Sequence, residues 1–219
     1  MATVVVTGAN RGIGLELCHH LADRGDDVIA VCRTSVHELE QPGIAVVDGI
    51  DVADDAIVAE LAKRLKGQSI DILINNAGIL TRETLDDLNF DRMRQQYEVN
   101  ALGPLRVTKA LLPNLHAGSK VLILTSRVGS VGDNSSGGIY GYRMSKAAAN
   151  MAGKNLAIEL HDRGIAVGIL HPGMVATEMT GNTGVTAEHS ASGLLKRIDK
   201  LNLDNTGTFW HAEGEILPW

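Results

Sequence analysis

Six short runs of β-branched and aliphatic residues recur along the chain: "TVVVTG" at 3–8, "DVIAVC" at 27–32, "IAVVDG" at 44–49, "DILINN" at 71–76, "KVLILT" at 120–125 and "IAVGIL" at 165–170. Their apolar character is nearly continuous rather than alternating, which is the pattern of strands covered on both faces. Helical periodicity fills the stretches between them, near 13–24, 54–66, 89–115 and 140–162. This alternation predicts an α/β fold with a doubly wound parallel β-sheet and a ligand crevice at the carboxyl ends of the strands. Nothing in 219 residues calls for a second core, so the range 1–219 reads as one domain.

After the sixth run, the stretch 171–198 is rich in Gly, Ser and Thr and precedes a weak helical pattern from about 186. It reads as a loop able to close over a ligand. The ending "TGTFWHAEGEILPW" holds both tryptophans and suggests a short terminal strand or hairpin, packed on the core or on another subunit.

Composition narrows the partners. The formal charge of −6 comes with scattered basic residues, so neither nucleic acid nor an anionic membrane is an expected partner. The two cysteines, Cys18 and Cys32, are too few for a disulfide framework, and no apolar run approaches the roughly 18 residues of a membrane span. A cytoplasmic location is expected. His19, His20 and His171 show no metal-ligand spacing and are assigned surface or capping roles, so no metal site is expected.

The chemistry begins at Thr7-Gly8-Ala9-Asn10-Arg11-Gly12-Ile13-Gly14, directly after the first strand. Glycines at 8, 12 and 14 permit positive φ and close approach, and the helix start offers free N–H groups to a pyrophosphate. A Rossmann-type dinucleotide site follows, although its GxxxGxG spacing departs from GxGxxG. The second strand ends Val31-Cys32-Arg33-Thr34, with no carboxylate to bind a ribose 2′-hydroxyl. NADP(H) is therefore predicted over NAD(H), with Arg11 and Arg33 as phosphate clamps. Farther on, Tyr142 and Lys146 stand four apart on one helical face, where an ammonium is expected to lower the phenol's pKa.

These motifs occur in order with Asp51-Val52, Asn75-Asn76-Ala77-Gly78, Val99-Asn100, Thr125-Ser126 and Pro172-Gly173 with Thr177. The chain thereby resembles the short-chain dehydrogenase/reductase family over essentially its whole length. Through "SRVGSVGDNSSGGIYGYRMSKAA" and "FWHAEGEILPW" it is further similar to the small C-factor-like branch, where some relatives are discussed as signalling proteins. The resemblance implies Tyr142 as general acid or base, Lys146 as its modulator and ribose ligand, Ser126 as the hydrogen-bond donor to the substrate oxygen, and Asn100 as the holder of a water linking Lys146 to solvent. It implies that Asp51 and Val52 contact adenine, that Asn76, Ala77 and Gly78 line the cofactor's middle, and that Thr177 meets the carboxamide. Gly8, Asn10, Gly12, Ile13, Gly14, Pro172, Gly173 and Val175 complete the implied cofactor set.

Ser126 precedes Tyr142 by 16 residues, longer than the family's usual interval, and Ser130 offers a nearer hydroxyl. Ser126 is favoured because it stands at the strand end, with "GDNSSGG" as a local insertion. The expected activity is hydride transfer between NADP(H) and a small carbonyl or secondary alcohol. The alternative is an NAD(P)-binding signalling or scaffold protein. The resemblance also implies a homodimer or homotetramer built on the two long helices.

Overall fold

A computed structural model describes all 219 residues. The strands are β1 (Thr3–Thr7), β2 (Asp27–Val31), β3 (Ile44–Val47), β4 (Ile70–Asn75), β5 (Leu115–Leu124), β6 (Ala166–His171) and β7 (Phe209–His211). The helices are α1 (Gly12–Asp23), α2 (Asp55–Arg64), α3 (Phe90–Tyr97), α4 (Gly103–Leu111), α5 (Tyr140–His161) and α6 (Ala187–Lys200). All seven strands pair in parallel in the order β3-β2-β1-β4-β5-β6-β7. The winding reverses between β1 and β4, and the crevice at their carboxyl ends is where such a sheet holds a ligand.

Alternate residues of each strand enter different cores, which is why the runs read as continuously apolar. Val4 and Val6 pack with Leu17, Leu21 and Ile198 on the face covered by α1 and α6. Val5 packs with Leu61, Val107 and Leu160 on the face covered by α2, α4 and α5.

The expected helix at 89–115 is broken. α3 ends at Tyr97, a π-helical turn occupies Glu98–Leu102, and α4 follows. The cause is legible at Pro104: with no N–H, it cannot donate the helical bond to the carbonyl of Asn100. The ladder shifts by one residue instead, and the Gly103 N–H bonds the Glu98 carbonyl.

β5 begins earlier than expected, because Leu115 already pairs with Ile70 before a register shift brings Lys120 opposite Ile72. The terminal strand packs on its own sheet: β7 extends β6, Phe209 is buried, and its ring stacks on Trp219 at 5.5 Å. No helix is long and apolar enough to cross a membrane.

Candidate active site

The switch point is stitched together by Thr7 and Asn76. The Thr7 hydroxyl oxygen accepts the N–H groups of Asn76 and Ala77, each at 3.1 Å, while the Asn76 amide donates to the carbonyls of Thr7 at 2.9 Å and Gly8 at 3.1 Å. These bonds fix the glycine loop against the end of β4. Gly8 sits at φ +66°, a left-handed backbone that a side chain would strain, and a Cβ on Gly14 would fall 2.3 Å from the Gly8 oxygen. Arg11 caps α1 without a side-chain bond and the first turn carries no acid. The N–H groups of that turn therefore remain open as an anion site with the positive end of the helix dipole behind them.

The loop opens onto one cleft of about 730 Å³. It is lined by Gly8, Asn10, Arg11, Gly12, Ile13, Gly14, Arg33, Asp51, Val52, Asn76, Ala77, Gly78, Ser126, Tyr142, Lys146, Pro172, Gly173 and Thr177, so that positions scattered from 8 to 177 converge. Of the catalytic and cofactor-binding residues that the resemblance implies, two stay outside its wall. Val175 is buried and bridged to Val185, leaving the wall to Met174, Thr177, Met179 and Thr180. Asn100 stands behind the wall, where its side-chain oxygen accepts from the Ile79 N–H at 2.9 Å and its amide donates to the Ile79 carbonyl at 2.9 Å and the Ser145 hydroxyl at 3.0 Å.

Arg33 is exposed and has no carboxylate partner, but Arg11 is not free: its guanidinium pairs with Glu178 in the loop after β6. That pair, with the Ala176–Val185 and Val185–Met174 backbone bonds, draws the Gly/Ser/Thr-rich loop over the glycine loop.

Lys146 is almost fully buried, and its ammonium donates to the Leu124 carbonyl at 2.9 Å. It lies 5.7 Å from the centre of the Tyr142 ring, and Tyr142 and Ser126 line the cleft together. Burial thus acts against the expected depression of the phenol pKa. Burial pushes Tyr142 up to about 12 against the lowering influence of the nearby Ser126, and burial pushes Lys146 down to about 8. Desolvation outweighs the ammonium because the ammonium sits over the ring and points to a backbone carbonyl.

Of the two candidate hydroxyls, Ser126 faces the cleft. Ser130 is buried off it and accepts from the Asp133 N–H at 3.1 Å. The Thr125 hydroxyl donates to the Asn150 side-chain oxygen at 2.6 Å, locking the end of β5 to α5 beneath the tyrosine.

Several cleft residues carried no signal in the sequence reading. His171, expected at the surface or in a cap, stands at the end of β6 with its ring edge-on to His211 at 5.0 Å. Burial first, then the positive charge that His211, Arg127 and Lys146 would bring, push it down to about 3. Ile139 precedes α5 at φ 41° and ψ 48°, a left-handed conformation that costs a β-branched residue about 1–2 kcal/mol. Arg82, Arg127 and Arg143 also line the cleft, Arg82 four residues after Gly78, Arg127 next to Ser126 and Arg143 at an unspecified position between Tyr142 and Lys146. No group of three or more His, Cys, Asp or Glu is placed to hold a metal ion.

Residues 2–188 match the short chain dehydrogenase family model. The chain is 46% identical over 226 residues to 1-hydroxy-2-glutathionyl-2-methyl-3-butene dehydrogenase of Rhodococcus sp. (strain AD45), covering all of both chains. It is 44% identical over 154 residues to the C-signal protein of Myxococcus xanthus, across 68% of this chain and 93% of that one. Among solved structures, the NADPH-bound carbonyl reductase from chicken fatty liver superposes with a TM-score of 0.89 at 32% identity, over 100% of this chain and 99% of that one.

Proposed function

The chain belongs to the short-chain dehydrogenase family, and on that premise we propose that it is an NADP(H)-dependent reductase of a small carbonyl compound, with Tyr142 as proton donor. The observation that carries the reading is that Tyr142, Ser126 and Lys146 line the same cleft as the uncapped N-terminus of α1.

The residues present fit a phosphorylated dinucleotide. The first turn of α1 offers donors to a pyrophosphate, Gly14 keeps the backbone thin there, and the end of β2 presents Arg33 in place of a carboxylate. NADPH bound in this cleft supplies the hydride. Asp51 and Val52 would flank the adenine, and Arg33, aided by Arg11, would neutralise the 2′-phosphate. Lys146 would bond the ribose next to the nicotinamide, Asn76, Ala77 and Gly78 would line the middle of the cofactor, and Thr177 would meet the carboxamide.

Ser126 would hold the substrate oxygen while Tyr142 passes it a proton, so charge never accumulates on that oxygen. The phenol is protonated at neutral pH, the form that donates to a carbonyl oxygen. Asn100 would connect Lys146 to solvent through its main chain, where Pro104 denies its carbonyl the usual helical partner. Fluorescence titration with NADPH and NADH, followed by NADPH oxidation over aldehydes, ketones and quinones, tests the reading. Binding without turnover of any carbonyl would defeat it in favour of a binding role, which the tyrosine and serine sharing one cleft otherwise disfavour.

The same reading includes a homodimer and a cytoplasmic location. Met144, Met151 and Ile158, spaced by sevens on α5, are 58–65% exposed, beside Phe90 and Tyr97 of α3. An apolar stripe of that length supports pairing with a second copy. Gel filtration at micromolar concentration that returned a monomer would contradict it.

A further inference from the structure

The cleft gathers positive charge in an acidic chain. Arg11, Arg33, Arg82, Arg127, Arg143 and Lys146 line it, against only Asp51 and Asp133, while the whole chain carries 20 basic and 26 acidic side chains. The cofactor's phosphates account for the end at β1 and β2. They do not account for Arg82, Arg127 and Arg143, which belong to the end at β4 and β5, where Tyr142 stands. Arg33 and Ser126 follow strands three positions apart in the sheet, a separation of about 14 Å.

At that second end the charges are unequally satisfied. Arg127 is neutralised by Asp133 at 2.6 Å and Glu215 at 3.3 Å. Arg143, next to the tyrosine on α5, meets only neutral acceptors: Nε donates to the Gly137 carbonyl at 3.0 Å, Nη1 to the Val128 carbonyl at 3.1 Å and Nη2 to the Ser136 hydroxyl at 2.8 Å. Two of its five N–H donors are left, one on each terminal nitrogen. Arg82, on the loop after β4, makes no hydrogen bond or ion pair within the chain. That loop is itself anchored, because the Thr81 N–H donates to Gln96 at 3.1 Å and Gln96 donates to the buried Glu83 at 3.2 Å. The cleft wall also carries the apolar side chains of Ile79, Leu80, Ile139 and Met174.

We infer that Arg82 and Arg143 form a carboxylate-recognition site at the substrate end of the cleft, and that the substrate is a carbonyl compound with an apolar middle and a carboxylate remote from the reacting carbon. The arrangement suits a guanidinium–carboxylate contact, a planar fork with free donors, with Arg143 half-buried in the cleft and Arg82 exposed on its wall. The carboxylate class rests on the arginines; only the word carbonyl rests on the reductase reading.

The test pairs succinate semialdehyde and para-formylbenzoate, each with its methyl ester, on the full chain. Calorimetric titration into protein saturated with NADP+ reads binding without turnover, and NADPH oxidation reads turnover separately. The carboxylates are expected to bind about tenfold tighter than their esters, a preference that narrows in high salt. In Arg82→Gln and Arg143→Lys the ratio should fall at least about threefold. A ratio within one variant is insensitive to partial loss of folded protein. Equal binding of acid and ester by the unaltered chain, or a ratio unchanged by both substitutions, would overturn the inference. Tighter carboxylate binding with no turnover would uphold the site while defeating the reductase reading.

Discussion

Lys146 lies one helical turn beyond Tyr142, yet its ammonium bonds the Leu124 carbonyl at 2.9 Å and rests over the phenol ring, 5.7 Å from its centre. The pair is thus a charge buried on one backbone acceptor beside a phenol that shares the cleft with Ser126. Both groups are displaced towards their neutral forms, so the site is tuned at a cost to folding stability.

Lys146→Met is expected to raise stability at pH 7 by about 2 kcal/mol while abolishing turnover. The lysine releases its proton at about 8 in the folded chain and near 10.5 in the unfolded one. Between those values the unfolded state binds more protons, so the stability of the unaltered protein rises with pH and the gap to the variant closes. Urea midpoints at pH 7 and 9.5 check this, and a gap that stayed constant would show that the buried charge is not its source.

Acid should act through His171. Its folded value of about 3 lies below the ordinary 6.5, so its neutral burial contributes stability above 6.5 that is lost as pH falls towards 3. Over that window the loss is about 1.4 kcal/mol per pH unit from this group. His171→Asn should flatten the dependence between pH 4 and 6.5; an unchanged slope in chemical denaturation would assign acid sensitivity elsewhere.

Tyr142→Phe keeps the ring and removes the proton, and kcat for carbonyl reduction should fall by at least about a hundredfold with the NADPH dissociation constant unchanged. Ser126→Ala should lower kcat by about tenfold or more. Ser130→Ala should leave kinetics nearly intact and cost about 1 kcal/mol of stability, because its hydroxyl serves only the Asp133 N–H. A kinetic loss at Ser130 equal to that at Ser126 would reverse the choice between them.

Arg33 is the free cation at the end of β2, whereas Arg11 is tied to Glu178. Arg33→Ala should weaken NADPH about tenfold and leave NADH unaffected. Arg11→Ala should weaken both cofactors by a smaller, similar factor, by releasing the loop after β6. Fluorescence titrations of the two variants with both cofactors distinguish these outcomes, and equal losses of NADPH affinity would make Arg11 a second clamp.

What the sequence determined on its own was whatever repeats locally. The apolar runs became β1 to β6, the periodic stretches became α1, α2 and α5, and the glycine loop closed on the end of β4, because strand and helix patterning express backbone hydrogen bonds and burial a few residues apart. Even the break in the helix at 89–115 was written at Pro104. Tertiary structure alone decided the rest. The strand end already favoured Ser126, but what turns Ser130 off the cleft is the 3₁₀ turn at Arg127–Gly129 and the Ser130–Asp133 bond. Glu178, 167 residues distant, took up Arg11. Neighbouring charge set the expectation for the Tyr142 proton, but desolvation by walls drawn from distant segments set the direction. Desolvation is a property of everything packed around a group, and no spacing along the chain encodes it.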